Sequence, residues 1–163
     1  MAARELPSFE IVLRSLNSDV PTYVTFVNQC GYDARAWWLN FTGNPVSYGD
    51  IKPRTRMRMK TYRSHPWVFR ASENGAKLLA NMKEIYFPEL NDIQDGYPVY
   101  LEVKITSPVY SLQDYCIMLV QKLVKKKDFD KLDIPQSLKK DLKEFPNLQK
   151  ELRDLNRVLH AIN

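Results

Sequence analysis

Glycine runs out at position 96 of this 163-residue chain. Gly31, Gly43, Gly49, Gly75 and Gly96 all precede Pro108, and beyond it the only prolines are Pro135 and Pro146. These two residue types supply the φ values that tight turns need. The first part is therefore punctuated and loop-rich, whereas the second can sustain helices. The break near Pro108 divides the chain into residues 11–107, 108–145 and 146–163. The expected fold class is α+β: an N-terminal β-sandwich, then a small C-terminal helical domain whose last helix is free to pack back on the sandwich.

Within the first part, β-branched and aromatic runs bounded by turn residues predict strands at 9–16, 22–28, 36–41, 54–61, 66–70, 84–87 and 99–105. Alternation is clearest in two of them. Thr22, Val24 and Phe26 oppose Tyr23, Thr25 and Val27, and Arg54, Arg56, Arg58 and Lys60 oppose Thr55, Met57, Met59 and Thr61. A period of two places the four cations on one strand face. Several short strands at this spacing suggest a sandwich.

The second part changes period. Leu112, Cys116, Leu119 and Leu123 form one helical stripe, and Leu148, Leu152, Leu155, Leu159 and Ile162 form another. Ile134, Leu138 and Leu142 make a shorter stripe, with Pro135 suited to a first helical turn and Pro146 separating it from the last helix.

No catalytic constellation is legible. A glycine-rich phosphate loop, a Cys-x-x-Cys pair and His-Glu-x-x-His are absent, and the only histidines are His65 and His160. No metal site and no cofactor are expected. The two cysteines, Cys30 and Cys116, cannot build a disulfide framework, and both are expected as buried free thiols. The N-terminus carries no secretory pattern, and no apolar run approaches the roughly 20 residues of a membrane span. A cytoplasmic and nuclear protein without a membrane partner is expected. The net charge of +5 names no partner. The cationic row, with the lysines at 125–127, is expected to be a solvated face, not a nucleic-acid site.

The segment 111–124, SLQDYCIMLVQKLV, opens on a good N-cap, Ser111, with Asp114 in the first turn. Its apolar residues cover most of the circumference. Such a helix is covered either by the rest of its own chain or by a second protein, as in helix-in-groove recognition. Ser111, Leu112, Cys116 and Val120 match an elongin-C-binding box, and Ile134-Pro135 with Leu138 and Leu142 match a cullin box. Together with LRSLNS (13–18), WLNF (38–41), YRSHPWVFR (62–70), SPVYSLQDYC (107–116) and KLDIPQSLKKDL (131–142), they make the chain resemble the von Hippel-Lindau family over nearly its whole length from Ile11.

That resemblance implies a non-catalytic substrate receptor of a cullin–RING ubiquitin ligase, with elongin C, elongin B and the cullin scaffold as partners. It implies a hydroxyproline-containing peptide, such as that of hypoxia-inducible factor α, held by Trp38, Tyr48, Thr61, Tyr62, His65 and Trp67. Elongin C would meet Leu112, Tyr115, Cys116, Leu119 and Val120, and the cullin would meet Ile134, Pro135, Leu138 and Leu142. Four positions depart from the family pattern: Thr61 replaces serine, Lys60 histidine, Met57 arginine and Gly49 proline. The alternative is a diverged paralogue that keeps the ligase dock and reads another ligand.

Overall fold

The computed structural model describes residues 13–161. The start of the strand expected at 9–16, and Ile162 of the last stripe, lie outside the described residues. The chain runs through β1 (Pro21–Asn28), β2 (Ala34–Leu39), β3 (Pro45–Ile51), β4 (Arg56–Tyr62), β5 (Trp67–Ala71), β6 (Lys77–Ala80), β7 (Ile93–Gln94), β8 (Tyr97–Pro98) and β9 (Leu101–Thr106). The helices α1 (Leu112–Leu123), α2 (Gln136–Lys143) and α3 (Leu148–Ala161) follow, with a 3₁₀ turn at Lys126–Lys131 between the first two.

Strands pair in the order β3-β2-β5-β6-β9-β1-β4, and β7 pairs with β8 in a separate small hairpin. The long sheet folds over itself at β6. Lys77 and Leu78 pair with Arg70 and Phe69 of β5, whereas Leu79 and Ala80 pair with Thr106 and Ile105 of β9. One strand thus joins both layers of the expected sandwich. Between the layers lie Val24, Phe26, Ala36, Trp67, Phe69, Leu78, Val103 and Ile105, all nearly or wholly shielded from solvent.

The alternation legible in β1 and β4 has this cause. Val24 and Phe26 enter the core, and Met57 and Met59 pack against it, while Arg56, Arg58 and Lys60 stay exposed. Arg54 does not join that row. It sits at φ 60 in the turn before β4, where its amide donates to the Asn28 carbonyl at 3.1 Å. The cationic row on the strand is therefore three residues long, not four. Residues 84–87 contribute only a single bridge, Tyr86 to Trp67. Residues 13–16 are not a strand, and β3, β6, β7 and β8 were not anticipated.

The last helix does pack back on the sandwich. Leu152 is 4% exposed against Leu13, Leu39 and Val68, with Trp37, Leu148, Leu155 and Leu159 around them. A charged contact pins the same interface. The buried Arg70 guanidinium of β5 donates to the Glu151 carboxylate of α3 and to the Phe69 carbonyl. Asn156 of α3 also accepts the Leu13 amide at 2.9 Å. The smaller helical core centres on Phe129 and Leu142, both almost fully buried. Of the two free cysteines only Cys30 is buried; Cys116 is exposed on α1, contrary to expectation, because none of the described residues covers that helix face.

Candidate functional site: an aromatic cleft and an uncovered helix

Trp38, Tyr48, Thr61, Tyr62, His65 and Trp67 come from four strands and one turn, yet they line one cleft of about 220 Å³. Trp38 comes from β2, Tyr48 from β3, and Thr61 and Tyr62 from the end of β4. His65 lies in the following turn, and Trp67 opens β5. Ser18, Phe41, Met59 and Lys60 complete the lining. Ser18 and Phe41 fall within LRSLNS and WLNF but carried no role in the sequence.

The rings form a linked wall. Trp38 stacks on His65 with centroids 5.1 Å apart. Tyr48 meets Trp67 edge-on at 5.0 Å, and Tyr62 closes on His65 at 4.9 Å. Trp67 is at once core and wall, since its other neighbour is Phe26 at 5.2 Å. Trp38 is only half-buried, and its indole nitrogen donates to Ser15 Oγ at 2.7 Å. Ser15 in turn donates to the Leu39 carbonyl. Packing and hydrogen bonds therefore fix the tryptophans before any ligand arrives.

Two groups can recognise a hydroxyl. Thr61 Oγ1 accepts the Trp67 indole N–H at 3.0 Å, which leaves its own proton to donate. His65 Nε2 lies 3.3 Å from Ser18 Oγ. Burial pushes the His65 imidazole below its ordinary value, a shift partly opposed by a hydrogen bond to the Asn17 backbone. The ring is then neutral at pH 7, with one nitrogen able to accept.

The departures have structural consequences. Gly49 has φ +91. Pairing of β2 with β3 runs Arg35 to Asp50, then Trp37 to Ser47, so Tyr48 and Gly49 together oppose Ala36 in a β-bulge. Proline, with φ near −65°, cannot occupy that conformation. Met57 packs towards the core and does not line the cleft. Lys60 does line it, with its ammonium 5.9 Å from the Tyr62 ring centre. Thr61 keeps its hydroxyl in the cleft wall.

On the helical side, α1 is well started and poorly covered. Asp114 N–H donates to Ser111 Oγ at 3.1 Å, and Ser111 N–H donates to Asp114 Oδ2 at 3.0 Å, a reciprocal capping box. The Ser111 hydroxyl bond also holds the Asp114 carboxyl below its usual range. No residue of α1 is buried. Leu112 is 80% exposed, Leu119 56% and Tyr115 51%. Cys116 is exposed between them, and Val120 is half-buried. The opposite side of α1 meets α2 through Gln121, whose amide donates to the carbonyls of Leu142 and Glu144.

The four positions of the expected cullin surface divide. Pro135 is exposed at the N-cap of α2, Ile134 and Leu138 are half-buried, and Leu142 is buried. Leu142 therefore supports the helical core and offers little surface to a partner. A larger gap of about 570 Å³ between α1 and the Glu73–Asn74 turn has mainly Met118, Leu119, Phe145 and Pro146 for walls. No histidine, cysteine or carboxylate cluster suited to a metal is found among the described residues, and no helix among them is long and apolar enough to cross a membrane.

A β-sandwich with an aromatic cleft, joined to a short helical unit with one bare apolar face, is the two-part class these features define. The VHL beta domain model matches residues 13–94 and the VHL box domain model matches residues 110–158. The chain belongs to the von Hippel-Lindau family. It is similar to Protein Vhl of Drosophila melanogaster, at 25% identity over 114 residues, which are 62% of this chain and 61% of that protein. The match thus spans about three fifths of that relative's length.

Proposed function

We propose that this protein is a non-catalytic substrate receptor of a cullin–RING ubiquitin ligase. In this reading α1 docks on elongin C, which brings elongin B. The surface around Pro135 meets the cullin, and the sandwich cleft holds a hydroxyproline-containing peptide such as that of hypoxia-inducible factor α. Cytoplasm and nucleus are the compartments where it would act.

The observation that carries the reading is α1 itself. A helix with a complete capping box presents Leu112, Tyr115 and Leu119 to solvent. Three large apolar side chains on one exposed helix face form the pattern of a helix that docks in a groove. The cleft adds the second surface. Its rings suit a pyrrolidine, and Thr61 and His65 suit a ligand hydroxyl. A site that pairs a hydroxyl rejects the ligand lacking it, because its own polar groups are then left unpaired.

Co-expression with elongin B and elongin C tests the dock: a stable three-chain complex is expected, and a chain that stays monomeric beside them refutes it. Titration with a peptide in hydroxylated and unhydroxylated forms tests the cleft. Preference for the hydroxylated form is expected. Two observations favour the second reading, a cleft that takes another ligand. The Gly49 bulge reshapes the Tyr48 wall, and Met57 supplies no cation. Equal binding of the two peptides, with the elongin complex intact, would select that reading.

A further inference from the structure

The outer face of β4, β1 and β9 carries a feature that the helical dock does not use and that meets the cleft only at Lys60 and Tyr62. Strand register places Tyr23 directly across from Lys60, and Thr25 across from Arg58 on one side and Glu102 on the other. Tyr23 and Tyr100 rings touch at 5.5 Å. The Arg58 guanidinium lies 5.1 Å from the centre of Tyr100, and Lys60 lies over Tyr62. Helix α3 covers the other layer, against Leu39 and Val68. Arg56, Arg58, Lys60 and Lys104 remain exposed here, with Glu102 the only acidic residue at these outward strand positions. Arg56 reaches Glu102 at 3.4 Å, whereas Arg58 and Lys60 have no ion pair among the described residues.

We propose that this face binds single-stranded nucleic acid. Cations interleaved with tyrosine rings are what such a ligand requires: phosphates meet the cations, and bases stack on rings without regard to sequence. The charge row alone fits any polyanion. The tyrosines in register with it favour a ligand that has both negative charge and flat rings. An acidic peptide uses only the first of these properties.

The test is binding of a fluorescently labelled twelve-nucleotide oligouridylate to the full chain at several salt concentrations, beside an oligoglutamate peptide of equal length. Four phosphate contacts predict an affinity loss of roughly fifty-fold between 50 and 200 mM salt, from the single-strand slope of about −0.7 per contact. The double variant Arg58→Gln with Lys60→Gln should bind more weakly and lose only about sevenfold over the same range. Tyr100→Leu keeps an apolar side chain but removes the stacking ring, and should weaken oligouridylate about tenfold while leaving its salt slope unchanged. The variants lie on an exposed surface, and their melting temperatures report whether the sandwich is intact. Absence of oligouridylate binding at 50 mM salt overturns the proposal, as does binding that ignores both variants in the folded state. Equal competition by oligoglutamate overturns it too, and makes the face a dock for acidic protein segments.

Discussion

The Trp67 indole nitrogen donates to the Thr61 hydroxyl across 3.0 Å, so a core side chain and a cleft side chain share one hydrogen bond. Both residues are 2% exposed. Thr61→Val keeps the volume but leaves the indole N–H without its acceptor, at a cost of about 1–3 kcal/mol. It also removes the hydroxyl offered to a ligand. Thr61→Ser preserves the bond to Trp67 and the free hydroxyl proton and removes one methyl, so its cost should stay near 1 kcal/mol. Chemical denaturation of the two variants, with peptide titration of each, checks this pair. Loss of stability without any effect on peptide binding would confine Thr61 to the core.

Gly49 offers a sharper test of the cleft wall. Its φ of +91 lies where side chains are strained, although a Cβ there would meet nothing within 4 Å. Gly49→Ala should therefore cost only the backbone term, roughly 1 kcal/mol. Gly49→Pro should cost about 3 kcal/mol or more, since proline excludes this φ and removes the amide that donates to Ser47 Oγ. Urea unfolding separates the two. If the proline variant is as stable as wild type, the bulge is not needed and the strand can pair in regular register.

That bulge also explains what the sequence withheld. β1 and β4 were legible because one face of each meets the core, which enforces a period of two. β3 was not. It is an edge strand, mostly exposed, and the extra residue at Tyr48 and Gly49 breaks any alternation. The helices were legible from their stripes, yet a stripe does not say what covers it. Leu112 and Leu142 are both stripe leucines, one 80% and the other 2% exposed. The difference depends on how α1 and α2 pack, which periodicity cannot carry. The six expected cleft residues likewise span positions 38 to 67 on four strands and a turn. Resemblance brought them together as a set, and the sheet closure brings them together in space.

Acid should weaken the fold at Asp50. Its carboxylate accepts from Arg35 Nε at 2.7 Å and from the Ser72 hydroxyl at 2.7 Å. The Arg35 hydrogen bond is the main reason that its pKa falls from 3.8 to about 2. A carboxylate depressed on folding stabilises the fold at pH above its unfolded value. That contribution is present above pH 3.8 and is lost as pH falls through about 2. Asp50→Asn should be less stable than wild type at neutral pH, and its stability should depend less on pH between 4 and 2. Urea midpoints across that range measure the difference; parallel curves for the two proteins would show that the pair contributes no proton linkage.

The bare face of α1 makes a prediction that a self-contained helix would not share. Leu112 is 80% and Leu119 56% exposed, so they have little cover from the described residues to lose, and Leu112→Asp and Leu119→Asp should change the stability of the isolated chain by no more than about 0.5 kcal/mol. Leu142→Asp, at a position 2% exposed, would bury an unpaired carboxylate and should cost about 4 kcal/mol or more. Elongin capture should fail in all three, but for different reasons. The two surface variants should fail while folded, and Leu142→Asp should fail because the seat of α1 has melted. Urea unfolding of each chain, read beside co-purification, distinguishes these outcomes. If Leu112→Asp destabilises the isolated chain as much as Leu142→Asp does, the apolar face is holding this molecule together and is not waiting for a second one.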